Sequence, residues 1–397
     1  MISRLRQQFN ERFTAERYEA FLRDVDREMR THVSYRQCET PCFFTKELLD
    51  RLALAGRELV AQLLANSSYM QASTAIIPDR FWVPNEAPQP MFVQADFGLI
   101  RNASGEYEPR LVEIQGFPSL YCYQPRFARQ YIESYDLPRS LRYFYGDLNE
   151  ESYRTLLSRA ILSGHRPENV VLLEIDPQQQ KTLPDFHATE DLLGIPFVCI
   201  TKLRKDGNKL LYERDGRWIP IHRIYNRAIV DELERKQIKP PFAFHDDLEV
   251  EWAGHPNWFF RLSKYSIPYF DHYSVPRTMF LHEVRSLPED LENWVLKPLF
   301  SFAGLGVLVG PTREQVESIP DDQRSQYILQ ERVRFESIID TPHGATTAEI
   351  RVMYVWLDDM LPVTTIIRMG RGKMMGVDHN KNMEWVGGSA GLYPVEE

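Results

Sequence analysis

The segment Trp294–Gly306, WVLKPLFSFAGLG, constrains this chain most when it is read with Tyr327–Val333, YILQERV. The first places Lys297 on a short apolar strand, followed by a small-residue loop containing Ser301, Ala303, Gly304 and Gly306. The second is an apolar strand ending in Gln330, Glu331, Arg332 and Val333. A strand lysine, a glycine loop and a hinge strand are the parts needed to hold a nucleotide such as ATP. The lysine neutralises phosphate charge, and small residues let backbone N–H groups approach phosphate oxygens. A strand edge offers N–H and C=O groups to an adenine rim. Taken alone, Ala303–Gly306 reads equally as a hairpin turn; the order and spacing of the three parts favour the nucleotide. No G-x-x-x-x-G-K-[ST] loop and no G-x-G-x-x-G fingerprint occurs in a strand-to-helix setting.

At 397 residues the chain exceeds what one hydrophobic core usually holds, so two or three domains are expected. The net charge of −9 comes from 47 basic and 56 acidic residues mixed along the chain. That argues against nucleic acid as a partner and leaves room for a local basic pocket. No stretch approaches the ~20 apolar residues that span a bilayer, and the charged start MISRLRQQFNERF has no signal-peptide core. No membrane is therefore expected. The four cysteines, Cys38, Cys42, Cys122 and Cys199, are too few for a disulfide scaffold, so a reducing cytoplasm is the expected compartment. Cys38 and Cys42 with His32 upstream have loose metal-like spacing but no fourth ligand, and read as ordinary thiols.

The apolar period predicts one amphipathic helix over 4–31 and a second over 45–66 with Thr45 as N-cap, then an irregular stretch from Tyr69 to Pro90. Two strands, 92–100 and 110–115, joined by the turn 102–108, read as a hairpin. Helices are expected near 124–135, 151–162 and 185–193, and strands at 170–175, 196–200 and 221–227, an alternation that predicts a small parallel α/β layer. Lys239-Pro240-Pro241 marks a domain corner. Beyond it the pattern is rich in strands, with helices near 282–292 and 312–318.

Asp96 sits mid-strand, and Glu113 and Gln115, two apart on the partner strand, point to one face. Three oxygen donors on neighbouring strands suit Mg²⁺, which takes carboxylates plus phosphate oxygens. The same pattern occurs on a solvated sheet face; the turn Gly116–Ser119 directly after the acidic strand favours the metal.

On these residues the chain resembles the ATP-grasp superfamily. Asp96 followed by Glu113-x-Gln115 is similar to its D…E-x-N magnesium signature. That signature here precedes the nucleotide lysine and hinge, an order similar to the circularly permuted branch of glutathionylspermidine synthase and related carboxylate–amine ligases. The resemblance covers about 90–120 and 255–395. It implies a circularly permuted ATP-grasp fold of the α+β or α/β class, with a small parallel, pre-ATP-grasp-like α/β layer and N-terminal helices. The divisions expected are an N-terminal helical segment (1–89), the metal-bearing hairpin plus α/β substrate layer (90–245) and the nucleotide-binding and lid region (246–397).

Position by position, the resemblance implies that Lys264 and Lys297 contact ATP phosphates and that Ser301, Gly304 and Gly306 belong to a mobile phosphate loop. Gln330, Glu331 and Val333 would hold adenine and ribose, and Asp96, Glu113 and Gln115 would bind Mg²⁺. Gln94 stands where the family often has Arg, and Gln115 where it usually has Asn. Arg351 and Arg368 are the preferred replacements for the missing cation, with Arg227 a third candidate; Arg223 and Arg371 are also in strand-like settings. Fixed positive charge of this kind stabilises a transferring phosphoryl group. The function implied is an ATP- and Mg²⁺-dependent ligase joining a small-molecule or peptide carboxylate to an amine or thiol through an acyl phosphate. The alternatives are a catalytically degenerate ATP-binding module, which Gln94 and Gln115 favour, and an ATP-grasp phosphotransferase. The Gly- and Asn-rich stretch 378–391 reads either as a loop closing over substrate or as a surface loop.

Overall fold

The computed structural model describes residues 2–301, 304–372, 375, 380 and 382–395. Its largest sheet has the strand order Cys42–Phe43, Gly387–Pro394, Met360–Gly370, Thr346–Trp356, Phe92–Arg101, Tyr107–Gln115. The acidic hairpin is thus paired along its inner strand with residues from the far end of the chain. Asn102 closes the hairpin by accepting from the N–H groups of Ser104 and Glu106.

This central sheet is covered on both faces, which explains why its strands are almost continuously buried. On Thr346–Trp356, Ile350, Val352 and Tyr354 join the core that also contains Leu52, Leu59 and Leu63 of the helix Lys46–Ala65. Met353 and Val355 join the opposite core, with Phe127 and Tyr131 of the helix Tyr123–Ser134 and Phe21 of the helix Ala15–Glu28. Period-two alternation puts Glu349 and Arg351 on this second face.

The α/β layer is a four-stranded parallel sheet in the order Glu251–Ala253, Arg223–Asn226, Val170–Glu174, Phe197–Cys199. Its first strand lies beyond the Pro240-Pro241 corner, and the acidic hairpin belongs to the central sheet. The spatial units therefore interleave along the chain and do not follow a cut at 245. A third sheet, the lid, runs Thr278–Phe280, Tyr327–Glu331, Trp294–Pro298, Leu308–Val309 over its own small core of Leu281, Leu296, Val316 and Leu329.

Local chemistry explains where the elements depart from expectation. The helix expected over 4–31 is two helices, Ser3–Arg12 and Ala15–Glu28, because Phe13 is extended and the Thr14 side chain caps the second by accepting from Arg17 N. The Lys46–Ala65 helix starts as expected, with Thr45 accepting from Leu48 N. The stretch expected to be irregular contains the helix Ser67–Ala75, capped by Asn66. The helix expected near 282–292 is two separate 3₁₀ turns, Leu281–Glu283 and Leu291–Asn293, with Pro288 between them. A three-stranded antiparallel sheet over 204–221 had no counterpart among the expected elements; its strands are short, and the alternation of Leu210 with Tyr212 and of Ile219 with Ile221 spans only two residues each. No helix among the described residues is long and apolar enough to cross a membrane.

Gly56 sits inside the Lys46–Ala65 helix, where glycine costs about 1 kcal/mol relative to alanine. A Cβ there would lie 2.1 Å from the Tyr354 hydroxyl, which donates to Ala53 O at 3.0 Å. The glycine is what lets helix and sheet approach. Gly56→Ala should therefore destabilise the protein by about 1–3 kcal/mol despite its better helix propensity, read as a lower midpoint in urea unfolding.

Candidate functional site

A cleft of about 670 Å³ opens between the lid and the exposed end of the second sheet face. Lys264, Lys297, Gly304, Gln330, Glu331, Val333, Glu113, Gln115, Arg351 and Arg368 all line it. Strand alternation delivers the lid's contribution: Trp294 and Leu296 enter the lid core while Val295 and Lys297 face the cleft.

Lys297 is only 6% exposed. Its Nζ donates to Val112 O at 2.8 Å and to Gln330 Oε1 at 2.5 Å, so it joins the lid to the acidic hairpin. Burial pushes its ammonium down to about 8, with Glu113 pulling it back up and Lys264 adding to the drop. Lys264 lies on the 3₁₀ turn Lys264–Tyr269. Its Nζ donates to Ser301 O at 2.7 Å and pairs with Glu113 Oε1 at 2.9 Å. Burial opposes ionisation of Glu113, but Lys264 outweighs it and holds the carboxyl below its ordinary value.

Asp96 is 2% exposed and is the centre of a second charge cluster. Arg351 grips it with two parallel bonds, Nε to Oδ1 at 2.5 Å and Nη2 to Oδ2 at 2.7 Å, and reaches Gln94 Oε1 with Nη1 at 3.0 Å. Arg368 Nη2 also reaches Asp96 Oδ2 and lies 2.5 Å from Glu349 Oε1. Burial works against the Asp96 carboxylate, yet Arg351 and Arg368 hold it below the ordinary range; for Glu349 burial prevails and its pKa rises. The strand register fixes this geometry, since Asp96 is paired with Glu113 on one side and Arg351 on the other, and Glu349 with Arg368.

Seven cationic side chains line the cleft (Lys181, Lys264, Lys297, Arg332, Arg334, Arg351, Arg368) against three carboxylates (Glu113, Glu331, Glu349). With the buried Asp96 that pairs with Arg351 and Arg368 also counted, an excess of three positive charges remains, which suits a polyanion. The buried donors Gln330 Nε2 and Arg368 Nε and the hydroxyl of Ser301 have no hydrogen-bond partner. Buried polar groups are usually satisfied; Gln330 and Arg368 line the cleft, so their open donors fit a ligand rich in acceptor oxygens.

Other expected residues are placed differently. Gly304 and Gly306 both have φ of +74°, which glycine adopts without strain, but Gly306 lies against Pro298 and does not line the cleft. Ala303 lies outside the described residues, as do Asp378, His379 and Lys381 of the expected closing loop. Arg227 does not line the cleft: it is 3% exposed, donates to Pro118 O, sits over the rings of Phe117 and Phe186 and lies 3.7 Å from Asp185. Its apolar, β-strand surroundings mark packing rather than access. Arg223 is likewise spent on Glu251 and the carbonyls of Ala160 and Ile161, and Arg371 on Thr346 and Glu384 O.

The site also contains residues the sequence reading did not single out. Glu349 shares the face of Arg351 two positions away, a signal available in the alternation of that strand. Tyr35, Tyr123, Lys181 and Thr182 form the far end of the cleft, and nothing in their local sequence sets them apart.

Asp96 and Glu113 are cross-strand neighbours, and Gln115 spends its Nε2 on Gln94 Oε1 at 2.6 Å. Among the described residues no three His, Cys, Asp or Glu side chains converge as a metal cluster. The corner nevertheless already holds a cation between carboxylates, the Arg368 guanidinium, and its donors are hard oxygens of the kind Mg²⁺ takes. The donor chemistry fits, with polyphosphate oxygens completing the set.

No protein-family model matches the sequence, and no curated protein matches it. Among solved structures the chain is similar to a glutathione synthetase-like effector from Globodera pallida in its apo form, with a TM-score of 0.57 and 12% identity over 96% of this chain and 98% of that one. At that identity the likeness is one of fold. The fold is mixed α+β and similar to that of this glutathione synthetase-like effector.

Lys297 gives the cleft a pH signature. Its ammonium is charged below about 8 and neutral above, so binding of an anion that needs the charge weakens as pH rises through that value. Titration of inorganic triphosphate by calorimetry should show affinity falling by up to about tenfold between pH 7 and pH 9. Lys297→Met should bind more weakly at pH 7 and show a flat profile.

Proposed function

We propose that this protein is an ATP-dependent ligase that joins a carboxylate to an amine or thiol. The observation that carries the reading is the meeting of two buried lysines, from the lid strand and from the turn before the lid, with the acidic hairpin at one cationic cleft on a glutathione synthetase-like fold. The order of the parts along the chain, hairpin before lysines, supports a circularly permuted ATP-grasp arrangement.

In this reading Lys264 and Lys297 neutralise the phosphates, and Gln330, Glu331 and Val333 sit where the base and ribose would rest. Asp96, Glu113 and Gln115 would hold Mg²⁺, which supplies charge neutralisation between phosphate oxygens. Arg351 and Arg368 stand next to the place where the terminal phosphoryl group would be attacked. A substrate carboxylate takes the γ-phosphoryl group, ADP leaves, and the acyl phosphate is displaced by the amine or thiol with release of phosphate. The side chains contribute position and fixed charge and form no covalent bond. Closure of the lid over the cleft excludes water that would otherwise consume the acyl phosphate. The substrates are small molecules or a peptide.

A second reading has its own observation. Both oxygens of Asp96 are taken by arginines, and glutamine stands at 94 and 115. These features favour a module that binds ATP without turnover. ADP release against pooled carboxylates and amines separates the two. Release that requires both pools supports the ligase; ATP binding without release in any pool supports the module; release with one hydroxyl-bearing acceptor alone supports a phosphotransferase. Lys297→Ala should weaken ATP binding by roughly ten- to a hundredfold, the loss of one charged hydrogen-bond donor. An unchanged ATP isotherm for that variant would remove the lysine from the site. Glu113→Gln should weaken binding measured with Mg²⁺ more than binding measured in a chelator, because it removes a metal-facing carboxylate and frees Lys264.

A further inference from the structure

Arg368 occupies the Asp96 side of the place that Asp96, Glu113 and Gln115 would offer a divalent cation. Its Nη2 reaches Asp96 Oδ2 and lies 2.5 Å from Glu349 Oε1, bridging carboxylates on two adjacent strands. Those carboxylates are fixed by sheet register: Asp96 faces Arg351, and Glu349 is two positions along the same strand. Both are buried, and two such anions share a corner only with a cation between them or with one carboxyl protonated. The holding arginine is the adaptable member of the group. It has a long stem at the rim of the cleft, and its Nε is buried without a partner. Arg351, in contrast, has a fork of bonds to Asp96 and a further bond to Gln94.

The charges of this corner decide what can enter it. Arg351, Arg368, Lys264 and Lys297 give four positive charges against three negative ones from Asp96, Glu113 and Glu349. A divalent cation alone therefore meets a net positive corner and has to evict a guanidinium. A polyphosphate reverses the balance, and its oxygens offer the guanidinium a new partner.

We propose that Arg368 is the resident cation of this corner, bridging Asp96 to Glu349 and so occupying the Asp96 side of the metal place until a polyphosphate draws it away and lets a divalent metal in. Loading is thereby ordered: the free protein refuses the metal, and metal and polyphosphate enter together. Arg368 is a positioning residue that passes from carboxylates to phosphate oxygens, with no covalent step. The second half of this proposal rests on the ATP-dependent reading above; the first half, the occupancy of the metal place, does not.

The test is Mn²⁺ binding to the nucleotide-free, full-length protein, followed by electron paramagnetic resonance. Arg368→Gln should bind Mn²⁺ at least about tenfold more tightly than the wild type, since it removes the competing charge. Arg368→Lys, which keeps the charge, should stay within about threefold of the wild type. Thermal melts establish that each variant is folded. Folded Arg368→Gln with Mn²⁺ affinity equal to or below that of the wild type overturns the proposal, as does tight Mn²⁺ binding by the wild type without nucleotide. Should Arg368→Gln fail to fold, the wild type decides alone: a non-hydrolysable ATP analogue must raise its Mn²⁺ affinity at least about tenfold beyond that of the analogue in solution. Failure of the analogue to bind at any Mn²⁺ concentration would sink the ATP-dependent reading and the ordered loading that rests on it, while the nucleotide-free comparison still decides what occupies the metal place.

Discussion

The forked pair between Asp96 and Arg351 is the constraint from which the rest of the site follows. It lies across the seam where a hairpin from the first third of the chain meets a strand from the last sixth. Taking a carboxylate and a guanidinium out of water costs several kcal/mol per ion, and only near-ideal geometry with further hydrogen bonds recovers it. The sheet provides that geometry, because facing register positions set the reach of both side chains before any rotamer is chosen. Once Asp96 is fixed, Glu113 is fixed opposite it, and the lysines of the lid side have a carboxylate to pair with. Removing either partner alone would leave an unpaired buried charge, which is why the pair makes the seam specific even where its net stability is small.

The lid is joined to this seam by polar contacts at the cleft as well as by its own core. Lys297 reaches across to Val112 O, and Lys264 ties the hairpin's Glu113 to the carbonyl of Ser301 at the start of the glycine loop. Both lysines therefore already have partners that resemble phosphate oxygens in kind. A phosphate group arriving in the cleft competes with a backbone carbonyl for Lys264. The loop's attachment and the charge on the hairpin are then linked through one ammonium group.

Much of this was legible in the sequence because strands write their faces with period two. The shared face of Glu113 and Gln115 follows from their spacing and Lys297 from the apolar strand around it, whereas the consecutive Gln330 and Glu331 came from the resemblance; the structure brings all of them to one cleft. Two of the parallel strands expected in the α/β layer, at 170–175 and 196–200, were readable for the opposite reason, as short and nearly continuous apolar runs. What alternation cannot show is which strand lies beside which. The pairing of Asp96 with Arg351 spans 255 residues, and Arg227, in equally strand-like surroundings, is buried among aromatic rings instead. The far end of the cleft was illegible because Tyr35, Tyr123 and Lys181 come from separate elements and carry no shared pattern. The break at Phe13-Thr14 shows the reverse error: an apolar period runs on through a point where a side-chain cap ends one helix and begins the next.

Gene order imposes a schedule on this architecture. The strand Phe92–Arg101 leaves the ribosome long before Thr346–Trp356, its neighbour on the inner side. Throughout that interval one edge of the hairpin has open backbone groups, and an edge of this length and apolarity is a template for pairing with the wrong chain. Asp96, meanwhile, lacks both of its arginines and stays hydrated, which keeps that edge wet and charged until its partner arrives. A nascent chain halted before residue 346 is left with that edge of the hairpin unpaired.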